Sequence, residues 1–199
     1  MNLRMSLVCL SLMLWAGCAT IVYERAQIDE GISLDLSGGV AYRGFLMITE
    51  IAPGIVYGYA PQATLEVHDG FNEHSGILGR FSVCGAPGIQ LRYGSGVVPV
   101  SMDMQFGVKV APFSPKAGSL RAVAGLPDLI NVSYLLDLGQ NWTLNAGFGL
   151  PCGPCLGAAC HVPLSEDLTL HVAAQGAYSG FYGFGQPSAA LGIALGFPR

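Results

Sequence analysis

Charge is what this sequence of 199 residues has least of: Asp, Glu, Lys and Arg together make up 11%, against roughly 25% in an average soluble domain. The formal net charge is −4 with no basic patch, which excludes nucleic acid as a partner class. Long apolar runs are also missing. Hydrophobic residues reach 51%, yet beyond the N-terminus no stretch approaches the roughly 18 residues that a transmembrane helix requires. High hydropathy without a long run means that the apolar residues are dispersed.

The segment Val98 to Val110 shows how they are dispersed. Val98, Val100, Met102, Met104, Phe106, Val108 and Val110 share one parity, and Pro99, Ser101, Asp103, Gln105, Gly107 and Lys109 share the other. Side chains alternate across a strand with a period of two. A membrane-crossing strand needs about 9–11 residues, so this segment is long enough. A closed barrel is the sheet that crosses lipid with every backbone group paired.

The same scan predicts about ten strands: Gly31 to Arg43, Ile51 to Tyr59, Ala63 to Phe71, Gly88 to Gly94, the segment above, Leu129 to Asp137, Trp142 to Leu150, Leu156 to Pro163, Leu168 to Tyr178 and Ala189 to Phe197. Tight turns are expected at 60–62, 94–96, 138–141 and 164–167. Longer links are expected at 44–50, 72–86, 111–128 and 179–187, alternating with the turns as in barrels with short periplasmic turns and long outer loops. A soluble lipocalin-like carrier also alternates, with its oily face inside. The polar parity here is mostly Ser, Gly, Ala, Thr, Asn and Gln rather than Lys and Glu, which suits a crowded lumen and places the oily face against lipid.

Residues 1–17 read as an export signal, with Arg4 as its positive start and Met5 to Leu14 as its apolar stretch. The segment Leu14-Trp15-Ala16-Gly17-Cys18 resembles the bacterial lipobox, although Trp15 stands where an aliphatic residue is usual. The resemblance implies acylation of Cys18, and Ala19 after it implies sorting to the outer membrane. Residues 18–30 then form an acylated tether and residues 31–197 the barrel. As a whole, the chain resembles small bacterial outer-membrane barrel lipoproteins. The resemblance rests on pattern, on the Tyr57 to Val67 hairpin and on Leu195-Gly196-Phe197, which is similar to the terminal aromatic signal read by the barrel-assembly machinery. It implies outer-membrane lipid and that machinery as partners.

Candidate chemistry is sparse. Cys152-Gly153-Pro154-Cys155 has thioredoxin letters but joins two strands, and no helix follows to stabilise a thiolate. Cys152 and Cys155 are expected at an outer loop, close enough for a structural disulfide, although Cys84, Cys152, Cys155 and Cys160 permit three connectivities between which the sequence does not choose. Glu73, His74 and Ser75 fall in the second outer loop and keep open a lipid-acting hydrolase, in the manner of lipid A deacylases or phospholipases. Asp35, Glu66, His68, Arg92, Asp103, Lys109, Asp137, His161 and His171 share the inward parity, and their charges can neutralise one another and close the lumen. His161 and His171 are expected opposite each other across the hairpin at 164–167. Two imidazoles, even with Asp103, fall short of the usual zinc set, so neither metal nor cofactor is expected. The function expected is structural, recognition or narrow passage, without catalysis.

Overall fold

The structure, a computed structural model, describes residues 21–48, 53–84, 101–126, 129–150, 153–179 and 186–197. The described residues contain ten strands: β1 (Gly31–Ile48), β2 (Pro53–Asn72), β3 (Ser75–Cys84), β4 (Ser101–Val110), β5 (Ser119–Leu126), β6 (Ile130–Leu138), β7 (Trp142–Leu150), β8 (Gly153–Ser165), β9 (Leu168–Ser179) and β10 (Gln186–Phe197). Each pairs antiparallel with its neighbours in the chain. β1 pairs with β10 and closes the barrel. The strand at 88–94, the turn at 94–96 and Arg92 lie outside the described residues.

Ten strands were expected and ten are found, but they are not the same ten. The Ala60-Pro61-Gln62 turn does not exist, because Pro61 sits within β2 opposite Val40. The expected links 72–86 and 111–128 each conceal a strand, β3 and β5. The regular alternation of short and long connections goes with them.

Gly31, Phe197, the turns at 73–74, 139–141 and 166–167, and the 111–118 connection with its single 3₁₀ turn Pro115–Ala117 all lie at one end, here called the terminal mouth. His74 and Ser75 are therefore on the same end as the tight turns rather than at the opposite end.

The oily parity faces out. Met102 is 66% exposed and Phe106 65%, whereas Gln105 between them is 0% exposed. Ile32, Leu34, Leu36 and Val40 repeat this on β1, and Leu191, Ile193 and Leu195 on β10. This is the inverse of a lipocalin-like carrier. At roughly 25 cal/mol per Å², such an exterior is unfavourable in water and favourable in hydrocarbon. No described helix is long and apolar enough to cross a membrane.

The lumen is not filled by wall side chains alone. Residues 21–28, expected in the acylated tether outside the barrel domain, run inside the barrel with Ile21, Val22, Tyr23, Glu24, Ala26 and Ile28 buried. The segment, called the strap below, leaves the lumen at the terminal mouth and turns at Gly31 into β1. Gly31 has a φ of +93°, a backbone conformation that glycine adopts without steric cost.

Candidate functional site

The strap is extended, so its side chains point alternately to opposite walls. Ile21 and Tyr23 pack on Ala41, Ala159, Ala173, Ala190 and Ala194 from β1, β8, β9 and β10. Val22 and Ala26 pack on Leu135 of β6. Backbone glycines admit the close approach. A Cβ on Gly192 would stand 2.0 Å from the Tyr23 hydroxyl, and one on Gly70 would stand 2.0 Å from the Asp29 carbonyl oxygen.

The wall also holds the strap's backbone by side chains rather than by a ladder. Val22 N–H donates to Gln175 Oε1 at 3.2 Å, and Arg80 donates to the Ile21 carbonyl at 3.0 Å. Ala26 and Gln27 N–H groups donate to the two oxygens of Asp137 at 2.9 and 3.1 Å. Lys109 Nζ donates to the carbonyls of Arg25 and Gln27. Buried backbone groups must be satisfied, and here four wall side chains do so.

Glu24 is the strap's charged anchor. Its carboxylate meets Arg121 Nε at 2.5 Å and Lys109 Nζ at 2.9 Å, with His68 Nδ1 at 3.7 Å. Glu66 meets Arg80 at 3.4 Å, Arg121 at 3.3 Å and His68 Nε2 at 2.9 Å. Asp35 lies 3.5 Å from His68 Nε2. Both ring nitrogens of His68 thus face carboxylates, Nε2 at ion-pairing distance from Glu66 and Nδ1 farther from Glu24, a setting that suits the imidazolium form. With His68 as a fourth cation, Arg80, Lys109 and Arg121 offset Glu24, Asp35, Glu66 and Asp103, the last lying in the electrostatic reach of Arg80. Burying so many charges is costly unless they are paired; here they are.

Glu24, Glu66 and His68 bring ligand-type atoms within 4.8 Å of one another. Two arginines and a lysine already neutralise these carboxylates, so the group is an ion-pair network rather than a cation site.

Beside this network, His161 and His171 are directly paired in the β8–β9 ladder, their Nδ1 atoms 2.6 Å apart and their rings edge to face. Thr143 bridges His161 to Asp137: its hydroxyl donates to Asp137 Oδ1 and lies 2.8 Å from His161 Nε2. Asp137 therefore serves both the strap and the histidine pair.

Asp35, Glu66, His68, Asp103, Lys109, His161 and His171 all line the lumen interior, and Asp103 accepts from Gln105 at 2.9 Å rather than meeting the histidine pair. Cys155 lies within β8, not in a loop, and carries a free, buried thiol. Cys152 lies outside the described residues, as does Cys18. No helix starts at Cys155. Ser75 donates to Asn72 at 3.3 Å, and His74 faces Glu73 at 3.5 Å and the Ala111 carbonyl at 3.4 Å, so adjacency in sequence does not make them a nucleophile and its base.

Three central residues escaped the sequence reading. Arg80 and Arg121 sat in segments read as loops, and Glu24 in the segment read as the acylated tether. The alternation Ile77, Gly79, Phe81 against Gly76, Leu78, Arg80, Ser82 was the available signal for the first.

No protein-family model matches the chain, and no curated protein matches its sequence. Among solved structures it is similar to Ail, the attachment invasion locus protein of Yersinia pestis, seen in complex with the heparin analogue sucrose octasulfate, at 16% identity and a TM-score of 0.35 over 85% of this chain and 100% of that one. Neisserial surface protein A matches at 11% and 0.38 over 85% and 98%. The N-terminal β-barrel domain of Pseudomonas aeruginosa OprF matches at 12% and 0.34 over 85% and 100%. Likeness at this level adds no argument to the closed ladder itself.

Proposed function

We propose that the chain is a bacterial outer-membrane barrel lipoprotein whose lumen is closed by its own strap, with a structural or recognition role and no catalysis. The observation that carries this is the strap's seat, with Glu24 between Arg121 and Lys109 and its backbone held by Gln175, Arg80, Lys109 and Asp137. A chain so bound occupies the lumen through which a diffusion pore would pass its solute. The apolar exterior supports the membrane setting, and the lipobox-like segment supports a lipid on Cys18. Two residues separate Cys18 from Ile21, a reach of at most about 10 Å, which ties any acyl anchor closely to the strap's seat.

Planar-bilayer recordings test the closed lumen. The full chain is expected to carry no steady current. Glu24→Lys, which sets a third cation beside Arg121 and Lys109, is expected to eject the strap and open the barrel. Steady conductance by the unaltered chain would sink the reading in favour of narrow passage of a solute. Metabolic palmitate labelling, lost in Cys18→Ala, tests the anchor separately.

A further inference from the structure

The inner end of the strap and a hollow on the barrel's exterior lie on the two sides of one patch of wall. Followed inward from Gly31, the strap climbs away from the terminal mouth. Ile28 and Asp29 lie against Gly70, the β2 partner of Gly31. Ile21 lies much farther along: a Cβ on Gly39 or on Gly192 would stand 3.3 or 3.1 Å from its Cδ1. Close by, Gln175 of β9 holds the Val22 N–H.

This direction decides by which mouth the preceding residues leave the lumen. From Gly31 to Gly39 the strand rises about 26 Å at roughly 3.3 Å per residue. From Gln175 to the end of β9 at Ser179 it rises only about 13 Å. Cys18 reaches at most about 10 Å beyond Ile21. It can therefore stand near the far rim and cannot return to the terminal mouth. The wall between is a closed hydrogen-bonded ladder, so a lipid on Cys18 gains hydrocarbon only over the far rim.

Outside the same patch, Leu156, Gly176, Ala189, Tyr42 and Tyr59 form one row of directly paired positions across β8, β9, β10, β1 and β2. Leu156 stands up at one end of the row, and the Tyr42 and Tyr59 rings stand at the other with centroids 5.1 Å apart. Between them Gly176 and Ala189 leave the backbone nearly bare over a floor two strands wide, about 10 Å. Val40, Ala174 and Leu191 complete a hollow of about 640 Å³, which suits an alkyl chain lying along the wall. Gln175, which holds the strap from within, belongs to the same lining.

We propose that an acyl chain on Cys18 passes over the rim opposite the terminal mouth and lies in this hollow. The proposal rests on the acylation of Cys18 proposed above. The N-terminal segment is then threaded through the barrel and moored on both sides of one wall, with its anchor in the leaflet farther from Gly31 and Phe197. A tethered chain holds the hollow by its high effective concentration, whereas a free lipid must be captured from the leaflet. The anchor also locks the strap, since withdrawal toward the terminal mouth would drag an alkyl chain past the buried charges at Glu24.

Photocrosslinking of the full chain in membranes from palmitate-fed cells tests the hollow, with p-benzoylphenylalanine in place of Tyr59. Folding of each variant is checked by heat-modifiable gel migration, and mass spectrometry of the digest identifies the partner. The expected product joins the Tyr59 peptide to the lipid-bearing Cys18 peptide. Filling the floor with Ala189→Phe should reduce it several-fold, and the same probe in place of Phe106, on β4, should give little of it. Crosslinks only to free lipid, or to a second copy of the chain, overturn the proposal while Cys18 remains acylated. Equal capture of the Cys18 peptide from position 106 overturns it too, because the anchor then roams the leaflet. A Cys18 peptide without lipid in the same digest sinks the acylation reading itself, and the proposal falls with it.

Discussion

The two walls of the lumen hold the same strap by opposite means. β3, β4 and β5 contribute Arg80, Lys109 and Arg121, all buried. β8, β9 and β10 contribute Ala159, Ala173, Ala190 and Ala194, against which Ile21 and Tyr23 lie. The alanine wall offers room and apolar surface, which any extended apolar segment could use. The cationic wall demands a carboxylate at one position, because an unpaired buried charge is far costlier than a lost apolar contact. The small wall therefore supplies space, and the charged wall sets register. The strap's period of two lets one segment satisfy both.

Breaking the charged wall should have the largest effect. Glu24→Leu leaves Arg121 and Lys109 without their strap partner, and removing one member of a buried ion pair costs about 3–5 kcal/mol. The measurement is the shift in urea midpoint for barrel unfolding. Adding Arg121→Met is expected to recover less than a full hydrophobic replacement would, since Arg121 also holds Glu66. Equal stability of Glu24→Leu and the unaltered chain would mean that the cations do not set the strap's register.

On the small wall the expected loss is lower. Ile21→Ala removes a fully buried side chain, a change that costs about 2–5 kcal/mol in a packed core, here at the low end because the alanine wall borders lumen space. Protease nicking within the strap, with the barrel intact, is the readout. A strap as resistant as the original would show that Ile21 contributes nothing to its seating.

The smallest effect sharpens the geometry of that second wall without disturbing it. Directly opposed residues on one face have Cβ atoms about 4.5–5.5 Å apart, so cysteines at 161 and 171, with the native thiols removed, are expected to crosslink in the folded barrel with little change in stability. Failure to crosslink would place the β8–β9 register elsewhere and remove the hydrogen-bond chain that fixes His171.

The contrast between walls also explains which strands could be read in advance. β7 carries Trp142, Leu144, Phe148 and Leu150 outward against Thr143 and Asn145 inward, and its limits match the expected Trp142 to Leu150. β5 does not declare itself: its outward side includes Ala122 and Ala124, and Pro112, Pro115 and Gly118 precede it. Small outward residues flatten the very alternation that marks a strand. β3 is interrupted in the same way by Gly79. The two hidden strands hold Arg80 and Arg121, so missing the strands meant missing the partners of Glu24.

The sequence alone determined that this chain makes strands with an oily and a polar face, that the oily face is too continuous for water, and that His161 and His171 face one another across a tight turn. These follow from the local period of two and from hairpin closure. Tertiary structure alone decided that β1 meets β10, that the strap folds back into the lumen, and that Glu24 finds Arg121 and Lys109. Those partners lie 97 and 85 positions along the chain from Glu24, and the charge of an acidic residue looks the same in sequence whether water or an arginine will neutralise it.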